Sequence, residues 1–391
     1  MPDRNIVSWN TMIIWYSRGN LIQIALKSFI CMPGKDVFSY TAMITGLCMV
    51  SCVSDAWRLF IEMPDHNAAS WAAIISGYQQ NGLAAETLNL FKEMLAANVE
   101  PNCYSFTTVL SASAELALLS VSKQLYLQLL KRGYEQNSHI GNSVLSTFMK
   151  CGSLEDAKCV FESLHNRNIV SWNCMITGYA QQGDGLRAIM TFHQMQKCRI
   201  SPDRISFLGV LMGCCHHGLV REGEEYFQSM TNDYGIFPGC EHYACLTDLF
   251  ARAGLLKKAH KVVMEMPFKP TPVFWRSILN GCRIWKCPEL GVYAANQLSR
   301  FEPSESWTSP FVRDSGKLND LPFLRTLKKE PETRKQMGCS WVEIQGRTYL
   351  FTSRDETHLE TYEIYEMNDL LIYESLGNFR VRNYELTYYE E

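Results

Sequence analysis

"RNIVSWNTMI" occupies residues 4–13 and "RNIVSWNCMI" occupies residues 167–176. Nine of the ten positions agree across a separation of 163 residues. A decapeptide written twice calls for a search for internal repeats before any local motif is read. Its tryptophan serves as a ruler. An aromatic recurs at Trp9, Tyr40, Trp71 and Phe106, skips Gly141, and returns at Trp172, Phe207, Tyr243 and Trp275. The steps are 31, 31, 35, 35, 31, 35, 36 and 32 residues.

Each step has room for two short helices. In residues 169–203, VSWNCMITGYAQQ carries apolar residues at helical spacing and stops at Gly183, a residue suited to ending a helix. LRAIMTFHQMQKC then supplies a second helix, closed by Ile200-Ser201-Pro202. In residues 138–168, Ser153 with Asp156 three positions on predicts an N-cap close to a capping box. Neither helix can bury its apolar stripe alone. Stacking unit on unit buries both, so the expected fold is all-α, a solenoid superhelix of helix-turn-helix repeats. The units run 6–36, 37–67, 68–102, 103–137, 138–168, 169–203, 204–239 and 240–271. A small, partly irregular C-terminal extension follows.

Composition narrows the function classes. The chain of 391 residues is 47% hydrophobic and 20% charged, so it can bury a large core. No apolar run reaches the ~18 residues of a membrane span, and no membrane partner is expected. Net charge is −3 but uneven: residues 355–391 hold ten acids and two bases, which leaves +5 on the rest. A mildly basic body permits nucleic-acid binding without demanding it. The fifteen cysteines form no CxxC pair and read as reduced, mostly buried small hydrophobes. The start, MPDRNIVSW, is neither a signal peptide nor an Arg/Ser-rich transit peptide. It matches unit endings such as Met63-Pro64-Asp65-His66-Asn67, which suggests a chain opening inside a longer array.

Helical hairpins of this period serve protein-binding and nucleic-acid-binding solenoids alike. Three segments are more specific: IVSWNTMI…ALKSF…MP, SFTTVLSASAELALLSVSKQLYLQLLKRGY and GNSVLSTFMKCGSLEDAKCVFESL. They resemble the pentatricopeptide repeat family over nearly 70% of the chain. The alternation of 31-, 35- and 36-residue units resembles its plant PLS subclass. The resemblance implies that each unit faces one RNA base with two side chains, one just after the ruler aromatic and one closing the unit. Short polar groups at a fixed rise can read the edges of an unstacked strand in this way.

On this pattern Asn10 with Asp36 implies uracil, Thr41 with Asn67 adenine, Asn142 with Asn168 cytosine, and Asn173 with Asp203 uracil. Thr107 with Asn137 is a weaker pair. Asn102 closes a unit whose other position is Ala72, which has no polar group. Leu208/Gly239 and Ala244/Thr271 carry no clear base preference. The implied target is U-A-n-n-C-U-n-n. Helix capping is the competing reading of the polar residues. Val7 and Val170, two before the aromatic, pack either on a base or in the core. The ruler tryptophans Trp9, Trp71 and Trp172 are expected between helices rather than under bases.

After residue 271 the pattern changes. Residues 272–339 resemble the E motif that follows such repeats in plant organelle RNA-editing factors, with a shortened stretch at 306–337. Residues 340–391 resemble the E+ segment plus an acidic tail. Trp341–Ile344 and Thr348–Phe351 predict a β-hairpin around Gln345-Gly346. Zinc deaminase chemistry needs HxE followed by PCxxC. His358-Leu359-Glu360 has no cysteine after it, so no catalysis in cis and no cofactor are expected. Cys214-Cys215-His216-His217 are consecutive on a helix and cannot close on one zinc. The implied function is a single-stranded-RNA-binding adaptor for C-to-U editing in mitochondria, or in chloroplasts as the alternative. Its partners would be organellar RNA and editing proteins, including a deaminase acting in trans. An RNA stability or splicing factor and a protein-binding scaffold are the other readings.

Overall fold

The computed structural model describes residues 5–134 and 137–301, and the backbone of residues 339–344 and 347–352. Among the described residues, eighteen helices form nine antiparallel pairs. They are α1 (Ile6–Arg18) with α2 (Ile22–Cys31), α3 (Val37–Met49) with α4 (Val53–Ile61), and α5 (Ala68–Gln80) with α6 (Ala84–Ala96). Next come α7 (Cys103–Glu115) with α8 (Leu119–Lys131), α9 (Ser138–Lys150) with α10 (Leu154–Ser163), and α11 (Ile169–Gln181) with α12 (Gly185–Lys197). The array closes with α13 (Arg204–His217) and α14 (Val220–Asn232), α15 (Cys240–Arg252) and α16 (Leu256–Glu265), and α17 (Pro272–Ile284) and α18 (Pro288–Phe301). Each first helix packs on its own second helix and on the next pair's first helix. The result is the expected solenoid.

Backbone chemistry sets both ends of each hairpin. The turn inside a pair passes through one left-handed residue, such as Gly183 at φ 81°. There Gly183 N–H donates to Ala180 O and Asp184 N–H to Tyr179 O, a Schellman closure. Seven of the nine first helices begin at a side-chain cap: Asn5, Asp36, Asn67, Asn102, Asn137, Asn168 and Asp203 each accept a backbone N–H of the first turn. The cap expected at Ser153 is absent. Its ψ of 74° is not extended, and its hydroxyl donates to Asp156, which pairs with Lys123 at 2.8 Å.

The ruler aromatics build the core. Those from Tyr40 to Tyr243 meet a phenylalanine of the preceding second helix edge-on, while Trp275 meets His260 and Tyr293. Examples are Phe60–Trp71 at 4.8 Å, Phe91–Phe106 at 5.5 Å, Phe161–Trp172 at 4.8 Å and Phe192–Phe207 at 5.3 Å. Trp71 and Trp172 are buried and Trp9 is half-buried against the core, which places them between helices as expected. Gly141 lacks the ring, and Leu164 occupies the space: a Cβ at Gly141 would lie 2.6 Å from Leu164 Cδ2. Close backbone approach fixes Gly185, where a Cβ would stand 2.2 Å from the Gly213 carbonyl oxygen.

The helix-pair format does not end at residue 271. α17 packs on α15 and α16 as earlier first helices do, with Trp275 buried. The cysteines differ from expectation. Of the fourteen described, only Cys48, Cys214, Cys215 and Cys282 are buried, and most of the rest are half-buried. Cys174 lines an open groove. In a separate unit, strands β1 (Cys339–Ile344) and β2 (Arg347–Thr352) pair antiparallel, with Ile344 opposite Arg347 and a two-residue connection. That is the expected hairpin. The shortened stretch at 306–337 and His358-Leu359-Glu360 lie outside the described residues.

Candidate nucleic-acid interface

Counting from the capping residue, each first helix presents N1, N2, N3, then the ruler position N4 and the next residue N5. The cap of one pair and the N5 residue of the pair before it come side by side. Asn173 Nδ2 donates to Asp203 Oδ1 at 2.9 Å. Asn142 Nδ2 donates to Asn168 Oδ1 at 3.4 Å. Asn10 hydrogen-bonds the Asp36 carboxylate. Hydrogen bonds from Ser39, and then from Asn10, hold that carboxyl below its usual value of 3.8, so it is an ionised acceptor near neutrality.

Capping and base reading were alternatives in the sequence. The structure shows that capping takes only one atom of each side chain. Asn168 Oδ1 accepts Ser171 N–H at 3.1 Å and Asp203 Oδ1 accepts Ser206 N–H at 2.9 Å. Cap duty therefore fixes what remains. An Asn cap keeps its oxygen for the helix and leaves its Nδ2 donor for another partner, as Asn102 does within the fold. An Asp cap turns outward a second oxygen that can only accept. Two residues differing by one atom thus present opposite hydrogen-bonding character at the same place.

The other predicted residues divide. Thr41 Oγ1 donates to Val37 O at 2.7 Å, and Asn67 Oδ1 caps Ala69 and Ser70 at 3.0 Å each. Thr107 Oγ1 donates to Tyr104 O at 3.0 Å. Asn137 Oδ1 caps His139 and Ile140. Asn102 caps Ser105, and its Nδ2 reaches the Ala68 carbonyl at 3.4 Å, so its donor is spent within the fold. Asn10 and Asn173 are only 4% and 5% exposed. Their amides form the floor of the site rather than projecting from it.

Val7 and Val170 are 69% and 49% exposed at N2, which removes the core alternative for them. N2 also carries Phe38, Tyr104 and Ile205, all exposed. These three were not singled out in the sequence, although counting two back from every ruler position finds them. They make a discontinuous apolar row beside the paired amides. Such a row suits the flat faces of unstacked bases.

Thr107, Asn142, Asn168 and Val170 line one open groove of about 500 Å³ across α7, α9 and α11, with Lys150 at its wall. Elsewhere the Cys214–His217 run splits: both cysteines are buried and both histidines exposed. Burial pushes the Cys214 thiol up to about 12, and Cys215 donates to Asp248 at 3.1 Å. Among the described residues no three His, Cys, Asp or Glu side chains cluster as metal ligands.

Known proteins match this arrangement. The PPR repeat family profile matches residues 66–115 and 167–216, and the PPR repeat profile matches 7–37, 38–67, 205–233 and 241–269. The pentatricopeptide repeat-containing protein At2g13600 of Arabidopsis thaliana is 38% identical over 289 residues, covering 71% of this chain and 41% of that protein. The Arabidopsis protein At3g49170, chloroplastic, is 35% identical over 277 residues, covering 70% and 33%. The chain thus spans less than half the length of these relatives. The crystal structure of the pentatricopeptide repeat protein PPR10 in complex with an 18-nt psaJ RNA element superposes with a TM-score of 0.67 at 22% identity, over 79% of this chain and 46% of that one. The ruler aromatics, the capped hairpins and the family matches together make the chain a member of the plant-type pentatricopeptide repeat family.

Proposed function

We propose that the chain is a sequence-specific single-stranded-RNA-binding adaptor, not an enzyme, that reads one base per helix pair. The observation that carries this is that cap duty at Asp36, Asn168 and Asp203 takes one side-chain oxygen and leaves the other polar atom for a base. Opposite Asp36 and Asp203, an acceptor beside an amide donor suits uracil, whose N3–H donates. Opposite Asn168, a second donor suits cytosine, whose N3 accepts. The PPR10 complex with RNA and the apolar N2 row support the same reading. The target is U-A-n-n-C-U-n-n, read 5′ to 3′ from the N-terminal pair.

The adaptor belongs to the PLS subclass with an E-type extension. It positions C-to-U editing on an organellar transcript, mitochondrial in the first instance, with the deaminase supplied in trans. The exposed Val273, Ile284 and Trp285 of α17 and its C-cap offer editing proteins an apolar foothold. Binding is measured by fluorescence anisotropy at one salt concentration, on RNA carrying the target and on RNA with the four informative bases swapped. Tighter binding of the target is expected, and equal affinity would refute the reading. Editing and abundance of the bound transcript in a knockout, with the location of a tagged protein, test the adaptor role and the organelle.

A further inference from the structure

At two reading pairs the N3 residue of the following helix has no part in the two-residue reading, yet it touches both members. Ser206 Oγ lies 2.5 Å from Asn173 Oδ1 and 3.0 Å from Asp203 Oδ1. Ser171 Oγ lies 2.7 Å from Asn142 Oδ1 and 3.2 Å from Asn168 Oδ1. Both serines are 0% exposed. A buried amide oxygen without a donor is costly. Here the donor comes from the next repeat.

Serine is the common N3 residue, and Ser70 and Ser105 follow Thr41 and Ala72, which carry no amide. All three pairs that read with an amide, at Asn10, Asn142 and Asn173, are followed by a serine at N3: Ser39, Ser171 and Ser206. All three N3 positions without a hydroxyl, Ile140, His242 and Phe274, follow Thr107, Leu208 and Ala244, which carry no amide. Thr41 and Thr107 satisfy their hydroxyls on their own helices and need no outside donor. At the first junction Ser39 Oγ is engaged by Asp36 Oδ1, and Asn10 Oδ1 is a buried acceptor with no partner. There the Ser39 hydroxyl serves the cap alone, unlike Ser171 and Ser206.

We infer that Ser171 and Ser206 are specificity-positioning residues, each the third member of a reading site whose other two members lie in the preceding unit. Asn173 is held at both ends of its amide, Oδ1 by Ser206 and Nδ2 by Asp203. That leaves one N–H free and aimed at a pyrimidine carbonyl. Without the hydroxyl the amide is held at one end only, and its plane turns away from the base. The inference rests on the base-reading function proposed above.

The test uses the full chain and three RNAs: the target, the target with its sixth base changed from U to A, and the target with its fifth base changed from C to A. Ser206→Ala is expected to lower the preference at the sixth base about fivefold or more and leave the fifth unchanged. Ser171→Ala should do the reverse, and Ser206→Thr, which keeps the hydroxyl, should restore the sixth-base preference. A serine that only supports folding would weaken binding to all three RNAs equally. Unchanged preference in Ser206→Ala, or equal loss at both bases, overturns the inference while leaving the reading intact. A wild-type chain with no preference at either base overturns the reading and the inference with it.

Discussion

Replacing Asp203 by Asn changes one atom of the reading site and separates capping from recognition. Asp203 Oδ1 accepts from Ser206 N–H at 2.9 Å, Ser206 Oγ at 3.0 Å and Asn173 Nδ2 at 2.9 Å. An asparagine in the same rotamer keeps all three acceptor roles on its own Oδ1. Asn and Asp are equal as N-caps, so the main stability loss is the negative charge at the α13 N-terminus, about 0.3–1 kcal/mol. Recognition changes far more, because the outward group passes from acceptor to donor. One well-made base contact discriminates by about 1–3 kcal/mol, or about 5- to 150-fold. Asp203→Asn should therefore exchange a preference for U over C at the sixth base for the opposite preference. Anisotropy titrations with RNAs differing only at that base measure the exchange, and thermal unfolding checks that the array is intact. Asp203→Ala is the contrast: it removes the cap, costs about 0.5–2 kcal/mol, and should bind both RNAs weakly without favouring either. If Asp203→Asn keeps the U preference, cap duty does not set the base and the reasoning fails.

Two further outcomes follow from packing and titration. Gly185→Ala drives a Cβ to 2.2 Å from the Gly213 carbonyl oxygen, and backbone cannot yield as a side chain can. A loss of about 1–3 kcal/mol and faster amide exchange in α11–α13 are expected, and wild-type protection would count against the packing. His242 replaces the N3 serine at α15: its Nδ1 accepts Gly239 N–H at 3.1 Å and its Nε2 faces the Arg204 carbonyl at 2.8 Å. Burial, above all, lowers its pKa below the usual 6.5. The unfolded chain then binds the proton more readily, so this contribution to stability is complete above about pH 6.5 and is lost as pH falls below it. The drop in unfolding temperature between pH 7.5 and 5.5 should shrink in His242→Gln, and an identical drop in both proteins would refute the assignment.

Much of the fold was legible in spacing. The ruler from Trp9 to Trp275 marks where each first helix starts, and from Tyr40 to Tyr243 the aromatic at N4 reaches a phenylalanine of the preceding second helix. Where the rule is broken, at Gly141, the sequence left a gap and the structure filled it with Leu164. The Ser153 cap was misread because Ser-x-x-Asp looks like a capping box. The Schellman turn leaves Ser153 at a ψ of 74°, and the hydroxyl turns to Asp156 instead. The positions of Phe38, Tyr104 and Ile205 follow from the ruler, but their exposure does not, because exposure cannot be read from residue type.

The repeated decapeptide shows where the two kinds of knowledge divide. From sequence alone came the helix-pair period, the family, and Asn5 to Asn10 and Asn168 to Asn173 as junctions between units. Periodicity determines these because an apolar stripe and a capping residue act locally. How the partner amide of each cap is held was decided only by tertiary structure. Asn173 takes its donor from Ser206 Oγ, 33 residues away in sequence and 2.5 Å away in space, whereas the N–H that fixes Asp203 comes from three residues on.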